Sequence, residues 1–125
     1  MKISMGALLV LALAGFAGSA SARPIYSQSV KYFDESGAIV GQQYLLCDGR
    51  SGHGGNTHTA YTVTEQTTCN GGEPPEWIVP NLIVTAYTLP GSVSIATACS
   101  VGRCEGQYVP EVQILGMWPY TPGFQ

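Results

Sequence analysis

The amino-acid sequence predicts an all-β protein, a small antiparallel sheet or sandwich of about six short strands, stabilised by disulfides and preceded by a signal-peptide helix. Short β-branched and aromatic runs with period-two alternation are separated by breaks rich in Gly, Pro and Asn. No stretch beyond residue 22 has sustained helical periodicity with caps. All four cysteines also lie beyond residue 22, and an even number is typical of disulfide-stabilised exported domains.

Residues 1–22 have the layout of a signal peptide. Lys2 precedes an apolar stretch over residues 7–16, and small residues ending in Ala20-Ser21-Ala22 favour cleavage before Arg23. Cleavage leaves residues 23–125, which are expected to form one small β domain without a membrane anchor, secreted to the periplasm or the medium. This part holds four Lys or Arg against eight Asp or Glu. The resulting net charge of −4 provides no basic face and excludes nucleic acid as a partner.

Three strands are predicted in the first half of the exported part. The first, residues 26–33, is closed by the turn Asp34-Glu35-Ser36-Gly37, which has Gly in its last position. The second covers residues 38–47, and a loop with four glycines follows over residues 48–56. The third, residues 57–69, carries threonines on one of its faces. Such a strand fits a sheet with one solvated side.

The second half begins with a break at residues 70–76, whose Pro74-Pro75 makes it the candidate boundary between two halves. A fourth strand is predicted over residues 77–89 and a fifth over residues 92–99. The sixth, residues 107–118, contains Pro110 and is therefore expected at a sheet edge. The Pro-rich tail, residues 119–125, is not expected to continue a strand.

The four cysteines, Cys47, Cys69, Cys99 and Cys104, allow three disulfide connectivities. Cys99 and Cys104 enclose only four residues, so a local bridge is easy and leaves Cys47 with Cys69. A full-length hairpin between the second and third strands would separate Cys47 from Cys69 by roughly 33 Å, whereas a disulfide needs Cα atoms within about 7 Å. Either the third strand folds back across the sheet, which we prefer, or Cys47 pairs with Cys99 or Cys104.

Candidate catalytic and metal-binding residues are few. His53 and His58 lie in or beside the Gly-rich loop, near Asp48, where imidazoles can bind a transition metal or serve a small exported enzyme or toxin. Two exposed loop histidines are the simpler interpretation. No C-x2-C pair supports structural zinc. We therefore expect no catalytic residue, no metal and no cofactor. Arg103, between Cys99 and Cys104, suggests a further alternative, an inhibitor loop for a secreted hydrolase.

Four aromatic residues form the candidate recognition surface: Trp77, Trp118, Tyr120 and Phe124. Rings on a small β scaffold bind sugars or partner proteins, although they can also close the ends of a thin core. The expected function is a non-enzymatic exported β module that acts by surface recognition or self-association. Its expected partner is a protein, a glycan or a second copy.

A set of short motifs between residues 32 and 69 carries a family resemblance. The motifs are Tyr32-Phe33-Asp34, Val40-Gly41, Cys47-Asp48-Gly49, Gly54-Gly55, Thr59-Ala60-Tyr61 and Cys69. With them the segment resembles a family of small secreted bacterial proteins of no assigned function. The resemblance supports a Cys47–Cys69 bridge and implies no activity. The chain after Glu73 lies outside it.

Overall fold

The computed structural model describes residues 23–125, and the predicted signal peptide, residues 1–22, lies outside them. Along the chain the elements are β1 (Tyr26–Phe33), β2 (Ile39–Leu45), β3 (Ser51–Gly55), β4 (Tyr61–Thr68), β5 (Val84–Thr88), α1 (Ile95–Gly102) and β6 (Thr121–Pro122). The six strands form one antiparallel sheet in the order β5-β4-β1-β2-β3-β6. The predicted all-β fold is confirmed, as a sheet with one short helix.

The position of β1 between β2 and β4 explains the first disulfide. Both neighbours run antiparallel to β1, so they run parallel to each other and end beside the start of β1. Cys47 and Cys69 follow these two ends and are bridged, with Cα atoms 5.6 Å apart. The backbone N–H of Cys69 also donates to Ile25 O at 2.9 Å. The third predicted strand therefore folds back across the sheet, as preferred, while β3 is the hairpin partner of β2.

β3 lies in the segment that the sequence predicts as a loop, so that prediction is wrong over Ser51–Gly55. Glycine is normally disfavoured in strands. Here it is needed, because Gly52 is paired with Tyr44 and a Cβ on Gly52 would lie 2.7 Å from Tyr44 Oη. The bulky partner on β2 thus explains why a glycine-rich strand forms beside it.

The predictions for the second half are partly wrong. Only Val84–Thr88 of the fourth predicted strand is extended, and α1 replaces the fifth. Ser94 caps α1, because its Oγ accepts the N–H of Thr97 at 3.1 Å, and the Cys99–Cys104 bridge closes the other end. Two turns are too short to show helical periodicity. Residues 107–118 form no strand, whereas the tail contributes the short β6.

Residues 103–115, which we call the strap, cross one face of the sheet, the covered face. Polar side chains of the sheet bond to the strap's backbone at each step. These bonds join Lys31 Nζ to Arg103 O (3.1 Å), Glu105 N to Glu65 Oε2 (2.7 Å), Thr67 Oγ1 to Val109 O (3.4 Å), Val112 N to Ser27 Oγ (3.2 Å), Gln42 Nε2 to Gln113 O (3.0 Å) and Leu115 N to Gln42 Oε1 (3.0 Å). The strap is thus held through its main chain.

Two small hydrophobic clusters fill the space under α1 and the strap. One consists of Phe33, Val63, Val84 and Ala98, and the other of Leu46, Ile83 and Val112. The first combines strand residues with a residue of α1, and the second combines residues directly next to β2 and β5 with a residue of the strap. The segment beyond the break at residues 70–76 therefore supplies the cover of the sheet and both of its edge strands, β5 and β6.

Candidate functional site

The face of the sheet opposite the strap, which we call the open face, carries no charged side chain. Side chains alternate along a strand, and on β1 the residues Ser27, Ser29 and Lys31 point to the covered face. The strand register therefore places the following residues together on the open face: Tyr26, Gln28, Val30 and Tyr32 of β1, Thr62, Thr64, Gln66 and Thr68 of β4, Gln43 and Leu45 of β2, Ser51 and His53 of β3, and Ala86 and Thr88 of β5. Amide, hydroxyl and aromatic groups dominate this surface.

Hydrogen bonds between these side chains fix the open face. Gln66 Nε2 donates to Gln28 Oε1 at 3.1 Å across β4 and β1. Gln43 Nε2 donates to Tyr32 Oη at 2.6 Å across β2 and β1. Because both pairs link neighbouring strands, the amides are held in defined positions, as a recognition surface requires.

Within the described part of the chain, only the last residues bond to side chains of the open face from outside the sheet. The backbone N–H of Gln125 donates to Gln43 Oε1 at 2.7 Å. His53 Nδ1 donates to Gly123 O at 2.9 Å, since a carbonyl oxygen can only accept. These contacts cover one corner. The strip formed by β1 and β4 makes no such contact in the described residues; its Val30 and Tyr32 are buried, at 9% and 8% exposure, whereas its other side chains are half-buried.

A cleft of about 240 Å³ lies at the end of this strip, beside the Cys47–Cys69 bridge. Tyr26 and Thr68, which are paired across β1 and β4, form one side. Asn70 and Glu73 from the following turn contribute to the other. The lining is completed by Ile25, Cys69 and Gly72 and is mostly apolar. Such a space suits one small ring that presents an apolar face.

The four predicted recognition aromatics do not form one surface. Trp77 is half-buried against the cluster of Leu46, Ile83 and Val112, and its Nε1 donates to Gln66 O at 2.9 Å. This position fits the alternative interpretation that the rings close the core. Phe124 is 38% exposed in the tail.

Trp118 and Tyr120 are the two predicted aromatics that meet. Their ring centroids are 6.4 Å apart, and Tyr44 lies 5.5 Å from Tyr120. The pair packs on the glycine strand, where a Cβ on Gly54 would approach Tyr120 Cδ1 to 3.0 Å. Tyr120 Oη donates to Gln42 Oε1 at 2.8 Å. Burial raises the pKa of the Tyr120 phenol, so the neutral, donating form is favoured.

The candidate residues in or beside the Gly-rich loop, His53, His58 and Asp48, have separate surroundings in the structure. His53 is engaged with the tail, whereas His58 lies exposed in the connection between β3 and β4. Asp48 forms an exposed ion pair with Arg50 at 2.7 Å, and hydrogen bonds from Arg50 lower the pKa of its carboxyl. Among residues 23–125, no three His, Cys, Asp or Glu side chains form a group able to hold a metal ion.

Asp34 of the predicted turn and Arg103 of the suggested inhibitor loop lie at a turn and at a helix end, respectively. Asp34 caps its turn, and hydrogen bonds from Ser36 and Ala38 lower the pKa of its carboxyl. Arg103 follows α1 in the left-handed conformation, with φ 51°. An inhibitor that occupies a protease pocket like a substrate presents an extended loop instead. Within residues 23–125, no helix is long and apolar enough to cross a membrane.

A buried ion pair is the charged feature that the sequence analysis misses. Lys31 Nζ lies 2.6 Å from Glu65 Oε1, with side-chain exposures of 2% and 1%. Both residues also bond to the strap, at Arg103 O and at Glu105 N. The one available signal in the sequence is that Lys31 lies two residues from Phe33 and therefore shares the inward face of β1 with this apolar residue. The strap seals the Lys31–Glu65 pair from solvent, so the pair is not available for catalysis. Through its two bonds to the strap, the pair holds the strap in position.

Comparisons with known proteins give one family match, to a family with no assigned function. Residues 27–70 match a family described as a family of unknown function (DUF6289). This range spans β1 to β4 and both cysteines of the first bridge, whereas α1 and the strap lie beyond it. No significant match is found among curated proteins or solved structures. The two disulfides point to a non-reducing environment.

Proposed function

We propose that this chain works outside the cytoplasm, after removal of residues 1–22, as a non-enzymatic module that binds an uncharged glycan surface through its open face. The two disulfides and the signal-like N-terminus support export. The observation that carries the binding proposal is the uncharged, half-buried strip on β1 and β4 that consists of Tyr26, Gln28, Thr62, Thr64, Gln66 and Thr68.

The chemistry of the strip favours a glycan. Sugar rings stack their C–H faces on aromatic rings and exchange hydrogen bonds with amides and hydroxyls, without needing charge. Successive side chains on one face of a strand lie about 7 Å apart, and strands lie about 4.8 Å apart. The strip is therefore a regular, open grid of donors and acceptors. An open grid suits a polymer surface, whereas small soluble ligands are held in enclosed pockets.

The Tyr26 cleft extends the same strip. In this proposal its lining residues Tyr26, Thr68 and Asn70 contact one sugar unit at the end of a bound chain. The Gln28–Gln66 pair lies one residue pair further along β1 and β4 on the same face. Binding at the cleft and along the strip is thus one continuous contact in this proposal.

The test is co-sedimentation of the purified protein with insoluble peptidoglycan, cellulose and chitin, for the wild type and for Gln66→Glu. The substitution places a charge in the middle of the strip, and we expect about a tenfold loss of affinity, or about 1.4 kcal/mol. Gln113→Glu is the matched control, because it makes the same change at an exposed strap position on the other side of the sheet.

The proposal fails if both variants bind like the wild type or if both lose affinity equally. It also fails if none of the three polysaccharides is bound. In that case, a dimer in analytical ultracentrifugation that Gln66→Glu dissociates would identify a second copy as the partner. The enzyme alternative predicts that His53→Ala/His58→Ala abolishes an activity of the secreted protein while the fold survives, whereas glycan binding should persist in that variant.

A further inference from the structure

The turn after β4 combines the features that make an asparagine reactive. Asn70 and Gly71 are both exposed and both have positive φ, 60° and 71°. A Cβ on Gly71 or Gly72 would meet nothing within 4 Å. Within the described residues, neither the Asn70 side-chain amide nor the Gly71 N–H makes a hydrogen bond. Neither of these two groups therefore has to give up a hydrogen bond for the turn to rearrange.

We propose that Asn70 is a site of spontaneous deamidation, with the folded chain as substrate and water as co-reactant. Hydroxide removes the Gly71 amide proton, and this nitrogen attacks Asn70 Cγ. The new N–Cγ bond forms as the bond from Cγ to the side-chain nitrogen breaks; this nitrogen takes a proton from water and leaves as ammonia, which regenerates hydroxide. Water then opens the cyclic imide at either carbonyl. The products are aspartate or isoaspartate, and no oxidant or reductant is involved.

The missing Cβ of Gly71 is what makes the attack accessible, because a side chain on the following residue hinders the approach of its nitrogen to Cγ. The other two asparagines provide internal comparisons. Asn81 is also exposed, with φ 67°, but Leu82 follows it and packs against the core. Asn56 is held at both ends, since its N–H donates to Val40 O and its Oδ1 accepts from His58 N.

The reaction adds a charge at a defined place. Asn70 and Glu73 both line the Tyr26 cleft. Conversion of Asn70 would put a second carboxylate beside that of Glu73, at the end of an otherwise uncharged face. The modification itself does not depend on the proposed glycan binding.

The experiment incubates the disulfide-bonded protein at mildly alkaline pH and follows each asparagine by peptide mapping and mass spectrometry. Conversion replaces an amide by a carboxyl, and incubation in ¹⁸O-labelled water marks the product. We expect Asn70 to convert at least about tenfold faster than Asn56 and Asn81, with both isomers formed and the rate rising with pH. Gly71→Ala should slow Asn70 by a similar factor; circular dichroism and disulfide mapping check its fold.

The reduced, urea-unfolded chain is the reference for an unrestrained Asn70. If native Asn70 reacts within about tenfold of this reference, the open turn explains its reactivity. Equal rates at Asn70 and Asn81 in the native protein would overturn the inference. Protection of native Asn70 by more than tenfold relative to the unfolded chain would overturn it as well.

Discussion

Breaking the Lys31–Glu65 pair tests how the sheet holds its cover. In Glu65→Leu the Lys31 ammonium stays buried without a counter-charge, and Glu105 N loses its acceptor. Removing one partner of a buried pair costs about 3–5 kcal/mol. Lys31→Met leaves the carboxylate in the same position and should cost a similar amount. For the roughly 100 residues beyond the predicted signal, total stability is on the order of 5–15 kcal/mol. Each single variant therefore loses a large share of it.

The double variant should lose less than either single variant. With both charges gone no unpaired ion is buried, and the remaining cost is two hydrogen bonds, to Arg103 O and from Glu105 N. At about 1 kcal/mol for each bond, Lys31→Met/Glu65→Leu should lose about 2 kcal/mol. The two single effects sum to at least about 6 kcal/mol, so the coupling energy is at least about 4 kcal/mol.

Urea unfolding with intact disulfides, followed by far-ultraviolet circular dichroism, measures all four forms of this cycle. An exposed ion pair would give single effects under about 1 kcal/mol and an additive double variant. That result would refute the conclusion that the strap seals Lys31 and Glu65 from water. A control cycle at the exposed Asp48–Arg50 pair should show this weak, additive behaviour.

Three further predictions concern the bridges and the tail. Replacing Cys47 and Cys69 by Ser should lower the free energy of unfolding, measured in urea, by about 3 kcal/mol. Replacing Cys99 and Cys104 should lower it by about 2 kcal/mol, because the bridged residues are 22 apart in the first bridge and 5 apart in the second. Gly54→Ala places its Cβ 2.9 Å from a tail carbonyl and should cost about 1–3 kcal/mol and raise tail proteolysis. Because burial raises the Tyr120 pKa, its contribution to stability is complete below the ordinary tyrosine value of about 10 and is lost as pH rises through the folded value. A titration of tyrosinate absorbance checks this, and Tyr120→Phe should remove the late step.

The first half of the fold is predictable from sequence because local rules and tertiary structure agree there. Period-two alternation gives β1 the bounds it has in the structure, Tyr26–Phe33, and the Asp34 turn closes it as expected. The geometric conflict between a long hairpin and a Cys47–Cys69 bridge also leads to the observed crossing over β1. The glycine strand β3 is missed, since only its neighbour's ring explains why glycine is needed.

The candidate site is less predictable, because it depends on which face of the sheet is covered. The threonine-rich side of the third strand was expected to face solvent, and β4 places Thr62, Thr64 and Thr68 on the open face. Partners from β1, such as Tyr26 and Gln28, follow only from the strand register. Aromatic residues were more prominent in the sequence, yet Trp77 serves the core. The amino-acid composition thus predicts that a polar sheet face exists, while the strand register determines which residues lie on it.

The strap explains why residues 107–118 resist prediction. Six of the hydrogen bonds that hold it use a backbone N–H or C=O of the strap and a side chain of the sheet, whereas Glu111 uses its side chain, whose Oε2 accepts from Cys47 N at 2.7 Å. Main-chain groups are the same for every residue except proline. These contacts therefore require no hydrophobic periodicity in the strap and hardly restrict which amino acids it contains. The information lies instead in the sheet, as polar residues at inward positions such as Ser27, Gln42 and Thr67. A sequence method that looks for periodic runs misreads such a segment as a strand, whereas unexplained inward polar residues in a neighbouring strand are the signal that an irregular cover is present.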